Sequence, residues 1–296
     1  MHFQWYPGHM TKAKRMMEEN IKLIDLIIEL VDARIPISSR NPDIDQLGKH
    51  KARLILLNKA DLAEDKWNDK WVTYFQDMGH SVLKINSTKS GQVKAIHKVI
   101  EEACREKRER DKKRGILNRP VRAMVVGIPN VGKSTFINNL AGKACTKTGN
   151  RPGVTKGKQW IRLNKNVELL DTPGILWPKF EDQTVGLNLA LVGSIKDDIL
   201  NTEDLSLELI TLLLSNYPSV LHQKYGIIEK KDKYRCLEQI ARSRNCLLKG
   251  GELDLQKASR LLLDDFRNGR LGRITLEHNT CLTINDVEGR CRNENT

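Results

Sequence analysis

No run in the 296 residues approaches the roughly 18 apolar positions that a membrane-spanning helix needs. The start, Met1-His-Phe-Gln-Trp5, has neither the charged-then-apolar order of a secretory signal nor an acylation motif. A membrane role is therefore not expected, and the cytoplasm is the expected compartment. Cysteine is sparse: Cys104, Cys145, Cys236, Cys246, Cys281 and Cys291 form no Cys-x-x-Cys pair and have no histidine nearby at zinc spacing. That argues against a disulfide frame or a zinc site and for reduced thiols. Acids are also short, 37 Asp and Glu against 50 Lys and Arg, which leaves a net charge of +13. Such an excess suits a polyanionic partner, nucleic acid or an acidic surface, with plain solubility as the bland alternative. The length allows one large domain or two ordinary ones, and two are expected.

What the chain does have is a phosphate-binding pattern. The apolar run Val121 to Val126 leads into Gly127-Ile-Pro-Asn-Val-Gly-Lys-Ser-Thr135, and Phe136-Ile-Asn-Asn-Leu140 follows. A buried strand, a glycine-rich turn and a helix start are what a P-loop requires, and Gly127-x-x-x-x-Gly132-Lys133-Ser134 fits without a gap. Backbone N–H groups from Asn130 through Thr135, Val131 included, are expected to face phosphate oxygens at the positive end of the helix dipole. Lys133 supplies the cation for the β- and γ-phosphates, and Ser134 a hydroxyl for Mg²⁺.

Three further stretches fit a guanine nucleotide. The apolar run Ala52 to Leu57 ends in Asn58-Lys59-Ala60-Asp61. In this NKxD pattern the aspartate accepts from the N1–H and the exocyclic amine of guanine, neither of which adenine offers. Asn58 is expected to support the base edge and the stem of Lys59 to cover the ring. The strand His80 to Ile85 ends at Asn86-Ser87-Thr88, a place where backbone N–H groups can brush the guanine O6. Val167-Glu-Leu-Leu-Asp171 runs into Asp171-Thr-Pro-Gly174. DxxG arises about once per chain by chance. Its position at a strand end after the P-loop gives it meaning: Asp171 can hold Mg²⁺ through water, and the Gly174 N–H can meet the γ-phosphate. Between Gly142 and Lys165 lie seven Lys or Arg and no acid, and Thr155 in that interval is the candidate threonine for Mg²⁺ and the γ-phosphate.

The order of these motifs is unusual, because NKxD and the base loop precede the P-loop and DxxG. Cutting a doubly wound α/β fold, with its mostly parallel sheet, at a surface loop and joining its former ends keeps the strand neighbours. The charged stretch 105–119 is the expected join. With Trp5-Tyr-Pro-Gly-His-Met-Thr-Lys-Ala13 and Asp32-Ala-Arg-Ile-Pro36 ahead of it, the chain resembles the circularly permuted GTPases of the YlqF/YawG group, and within it the ribosome biogenesis GTPase A family of bacteria. The resemblance implies a permuted P-loop GTPase fold, GTP hydrolysis with Mg²⁺, and late assembly of the large ribosomal subunit with its rRNA as partner, the protein being a monomer off the ribosome. It also points to His9 as the catalytic residue. Ile175 stands where many GTPases carry a water-orienting glutamine, and a neutral imidazole can position water. The alternative is that His9 packs with Trp5 and Tyr6 or contacts RNA. Asn130 resembles the P-loop asparagine of potassium-dependent GTPases, with a turn-forming asparagine as the alternative to K⁺.

From Asp182 the periodicity turns helical, with breaks at Asn216-Tyr-Pro218, Gly226, Gly250-Gly251 and Gly269. Twelve Lys or Arg face six Asp or Glu between Lys230 and Arg273, which suits docking to structured RNA. The expected organisation is a GTPase domain over 1–178, with residues 1–22 as its N-terminal loop and helix, a helical RNA-binding domain over 179–277, and a polar, disordered tail over 278–296. A competing reading is an RNA-binding or tRNA-directed module that uses guanine nucleotide only as a structural ligand.

Overall fold

The computed structural model describes residues 8–116, 119–146, 159–177, 180, 182–229 and 231–278. Its frame is a six-stranded sheet of β1 (Leu26–Asp32), β2 (Ala52–Asn58), β3 (Ser81–Lys84), β4 (Val121–Val126), β5 (Gln159–Arg162) and β6 (Val167–Asp171), in the order β3-β2-β1-β4-β6-β5. All neighbouring pairs are parallel except β5 on β6. β1 is buried along its whole length, as expected of a central parallel strand. The acid in its middle, Glu29, is paired at 2.5 Å with Arg53 and at 3.4 Å with Arg40. The helices of this half are α1 (Gly8–Asn20), α2 (Pro42–Leu47), α3 (Asp65–Asp77), α4 (Val93–Ala103), α5 (Arg105–Lys113) and α6 (Lys133–Ala141). α3 lays Trp67, Trp71, Tyr74 and Phe75 against Val31, Ile55 and Leu57 of the sheet.

The remaining helices are α7 (Gln183–Leu191), α8 (Thr202–Asn216), α9 (Val220–Tyr225), α10 (Lys233–Ser243) and α11 (Leu255–Arg267), and they pack around Leu205, Leu209, Leu237, Ile240, Leu262 and Phe266. The expected join is mostly helix: α5 follows α4 with one residue between, and Lys107 and Arg119 approach Asp25 at 3.0 and 3.5 Å.

Two expectations shift. The helix expected from Thr11 begins at Gly8, so His9 stands in a first helical turn and not in a preceding loop. Glycine is tolerated at a helix start, where its permissive backbone costs little. The boundary of the expected tail also moves, because His278 stacks on Trp67 with ring centroids 4.7 Å apart. Residues 279–296 lie outside the described residues.

The segment before His278 runs back over the sheet-bearing half. The Ile274 N–H donates to Leu62 O at 2.9 Å, and the Leu276 N–H to Arg34 O at 2.9 Å. The Glu277 carboxylate accepts from the Ile37 N–H at 2.6 Å, the Ser38 N–H at 2.9 Å, the Ser38 hydroxyl and the Asn188 amide at 3.3 Å.

Candidate nucleotide site

The chain runs from β1 toward β2 and β3 on one side and from β4 toward β6 on the other, so the sheet changes winding direction between β1 and β4. Ligands of such sheets sit at the carboxyl ends of the strands beside that switch point. NKxD follows β2, the base loop follows β3, the P-loop follows β4 and DxxG closes β6, so all four converge there.

On the base side, Asn58 is buried and acts as a tie. Its Nδ2 donates to Val131 O of the P-loop at 2.6 Å, and its Oδ1 accepts from the Ser87 N–H at 2.9 Å and the Ser87 hydroxyl at 2.7 Å. Asn58 thus bridges three loops through its Oδ1 and one of its two Nδ2 hydrogens. The Asn86 N–H goes to Gln92 Oε1 at 2.9 Å, so neither it nor the Ser87 N–H points out of the loop as the O6 reading requires. Asn139 of α6 adds a bond to Ser87 O at 2.8 Å. Ala60 is fixed through its N–H to Ile85 O at 3.2 Å, and Asp61 beside it is exposed. Lys59 takes the left-handed backbone, φ 59°, and its Nζ reaches Asp32 at 3.0 Å. Burial by itself raises the Asp32 carboxyl, but the Arg34 and Lys59 charges outweigh it and hold that group well below the usual range.

On the phosphate side, Gly132 at φ 103° opens α6, and a Cβ there would stand 2.5 Å from Asn58 Nδ2. Lys133 is buried, with Nζ donating to Gly127 O at 2.8 Å and Ile128 O at 2.9 Å, and burial pushes it down to about 8. Gly174 lies against this loop so closely that a Cβ would be 2.8 Å from Pro129 Cα and from Lys133 Nζ. Asp171 is buried, and neither carboxylate oxygen makes a well-formed hydrogen bond among the described residues. Burial lifts it to about 6, with the Lys133 charge pulling the other way. A buried carboxylate without a well-formed partner among the described residues, on the strand that pairs with the one feeding the P-loop, is an oxygen donor that fits Mg²⁺. Asn130 has φ 59°, as a turn-forming asparagine does, and its Nδ2 donates to Gly193 O at 2.6 Å.

Thr155 lies outside the described residues, as does the side chain of His9. The neighbour of His9 is placed: Met10 Sδ accepts from the Leu176 N–H at 3.5 Å, which sets the first turn of α1 on the exit of DxxG. Sequence chemistry assigns no role to Asp32, Arg34 or Glu277, the first two entering only through the stretch that carries the family resemblance. The signal available for the first two is a charged pair at the end of a strand that is apolar apart from Glu29.

Residues 122–237 match the family described as 50S ribosome-binding GTPase. The chain is 49% identical to the Bacillus cereus protein named Ribosome biogenesis GTPase A, over 94% of this chain and 94% of that one. It is 33% identical to the Thermotoga maritima protein of the same name, over 92% and 93%. The crystal structure of GNP-bound YlqF from T. maritima aligns with a TM-score of 0.66 at 29% identity, covering 92% of this chain and 100% of that one. With the nucleotide motifs gathered at one sheet edge in permuted order, this near full-length likeness makes the chain a member of the ribosome biogenesis GTPase A family, GTP hydrolases of ribosome biogenesis.

Proposed function

We propose that this chain is a GTP-driven switch that docks on the maturing large ribosomal subunit, touches its rRNA, and leaves when GTP is hydrolysed. The observation that carries this reading is the direct bonding of the P-loop to the C-terminal helices through Asn130 and Gly193, 2.6 Å apart. Those helices also hold concentrated positive charge: Lys224, Arg244, Arg260 and Arg270 line one open cleft, where Asp264 and Asp265 are held by Arg270. An open cleft of that sign suits phosphates of structured RNA. The division into a GTPase domain over 1–178 and an RNA-docking domain over 179–277 belongs to this proposal, with residues 271–278 acting as a strap between them.

In the pocket, Asp61 reads the guanine N1–H and amine, while Asn58, Lys59, Ala60, Asn86 and Ser87 shape the base side. Residues Asn130 to Thr135 and Gly174 hold phosphates, and Lys133 leaves its own loop carbonyls to meet them. Ser134, Asp171 and Thr155 hold Mg²⁺, which neutralises the phosphate oxygens when bound. His9 orients the attacking water, a role supported by the seating of Met10 on Leu176. A potassium ion would use the Asn130 amide oxygen while its Nδ2 stays on Gly193.

Co-sedimentation with separated ribosomal subunits tests the switch. The form bound to a GTP analogue is expected to travel with the large subunit and the GDP form to stay behind. Equal binding in both states would favour a module in which nucleotide is only structural. Subunit-stimulated GTP turnover is expected to collapse in His9→Ala, and equal stimulation of both proteins would remove His9 from the mechanism.

A further inference from the structure

The two carbonyls at the end of α7 are held by a side chain from the far end of the helical half. Arg267, the last residue of α11, donates through Nε to Leu191 O at 3.0 Å and through Nη2 to Ala190 O at 2.9 Å. Its fork is completed by Asp197, at 2.7 and 2.8 Å. Terminal carbonyls of a helix lack partners within it, and a guanidinium there satisfies them and opposes the negative end of the dipole. The chain then turns at Gly193, whose φ is 79°. Arg267 lies so near that a Cβ on Gly193 would stand 3.2 Å from its Nε. The position of this turn is therefore set by Arg267.

What the turn touches is the apex of the P-loop. Gly193 O accepts from Asn130 Nδ2 at 2.6 Å, and the Ser194 hydroxyl donates to Pro129 O at 2.9 Å. The base side reaches the same helix end by another route. Lys59 and Arg34 share Asp32, and Arg34 Nη1 donates to Arg267 O at 3.3 Å and Phe266 O at 3.5 Å. Both halves of the nucleotide pocket thus end on the last turn of α11.

We propose that Arg267 is a positioning residue for GTP binding and turnover: it seats the Gly193–Ser194 turn on the P-loop apex, so that the helical half sets how tightly phosphates are held. The inference rests on the reading of the P-loop as the nucleotide site. Because coupling is reciprocal, phosphate occupancy then also sets how firmly the helical half is held.

The test is titration of the full chain with fluorescent GDP and GTP analogue. Arg267→Ala is expected to weaken both by about 5-fold or more, and Arg267→Lys to fall between Ala and the parent. Ser194→Ala, which leaves both helix ends intact, is expected to weaken them about 3-fold. It carries the test should Arg267→Ala fail to fold. Adding Arg267→Ala to the double variant Asn130→Ala, Ser194→Ala should cost little further, because both bonds through which the turn reaches the P-loop apex are then already gone. A merely structural role would make the losses additive. Arg273→Ala, which breaks the exposed pair with Asp65, is expected to bind as the parent does. Parent-like binding by folded Arg267→Ala and by Ser194→Ala, or fully additive losses, would overturn the inference. Lys133→Ala separates the two layers: if it binds nucleotide normally, the pocket reading itself fails.

Discussion

The base side and the phosphate side of the pocket are built on opposite plans. Around the base, Asn58, Ser87, Asn86 and Lys59 are each bonded to another protein group. Around the phosphates, Asp171 is buried without a well-formed hydrogen bond among the described residues, and Lys133 turns its charge onto the carbonyls of its own loop. A buried carboxylate in that condition is costly until a cation meets it. The lesson is that the base side is preorganised by contacts within the protein, whereas the phosphate side is completed by what it holds.

Predictions that strike the phosphate side should have the largest effect. Lys133→Ala is expected to weaken GTP by about 100-fold or more, ~3 kcal/mol, in a fluorescence titration. On the base side, Asp61→Asn replaces a charged acceptor by a neutral amide, a change worth about 1.5–3 kcal/mol in all, so guanine affinity falls and xanthine competes. Competition binding with both nucleotides reads the exchange. Asp171→Asn sharpens the contrast by splitting stability from function. Without nucleotide and Mg²⁺ the variant should melt a few degrees higher, because burial raises the Asp171 carboxyl to about 6 and a neutral amide has no charge to bury. The further rise that Mg²⁺ and GTP give the parent should shrink, and calorimetry measures both.

The smallest effect concerns Glu277, which joins the strap to both halves. Burial outweighs its hydrogen bonds and holds its carboxyl above the ordinary glutamate range. A raised acid binds its proton more readily in the folded chain, so its contribution to stability grows as pH falls through the folded value and is lost as pH rises. Glu277→Gln should flatten that part of the stability profile between neutral and mildly acidic pH in denaturant titrations. An unchanged slope would contradict this account.

Legibility in the sequence followed the range of the interactions. P-loop, NKxD and DxxG are contiguous, and each makes local demands on backbone and side chain, so their residue types show through. Helical periodicity likewise marks α7, α8, α10 and α11, while α9, with six residues, is too short to impose one. The contacts that organise the pocket join distant positions. Asn58 and Val131, Asn130 and Gly193, and Glu277 and Ser38 leave no local pattern, since each partner is an ordinary loop residue until the fold brings them together. The same limit hides a second role of Asn58, whose bonds tie three loops together while its motif points to the base.

The permuted order has a consequence for how the protein is made. β1 gains its full parallel partner β2 early in synthesis, whereas β4, its neighbour on the other edge, emerges only after β3, α4 and α5. The half that carries NKxD can therefore zip together on the translating ribosome while one flank of the central strand stays bare, and an uncovered strand edge invites mispairing. The P-loop and DxxG are the last of the nucleotide motifs to emerge, so a nascent molecule is unable to enter its working cycle before the sheet is whole.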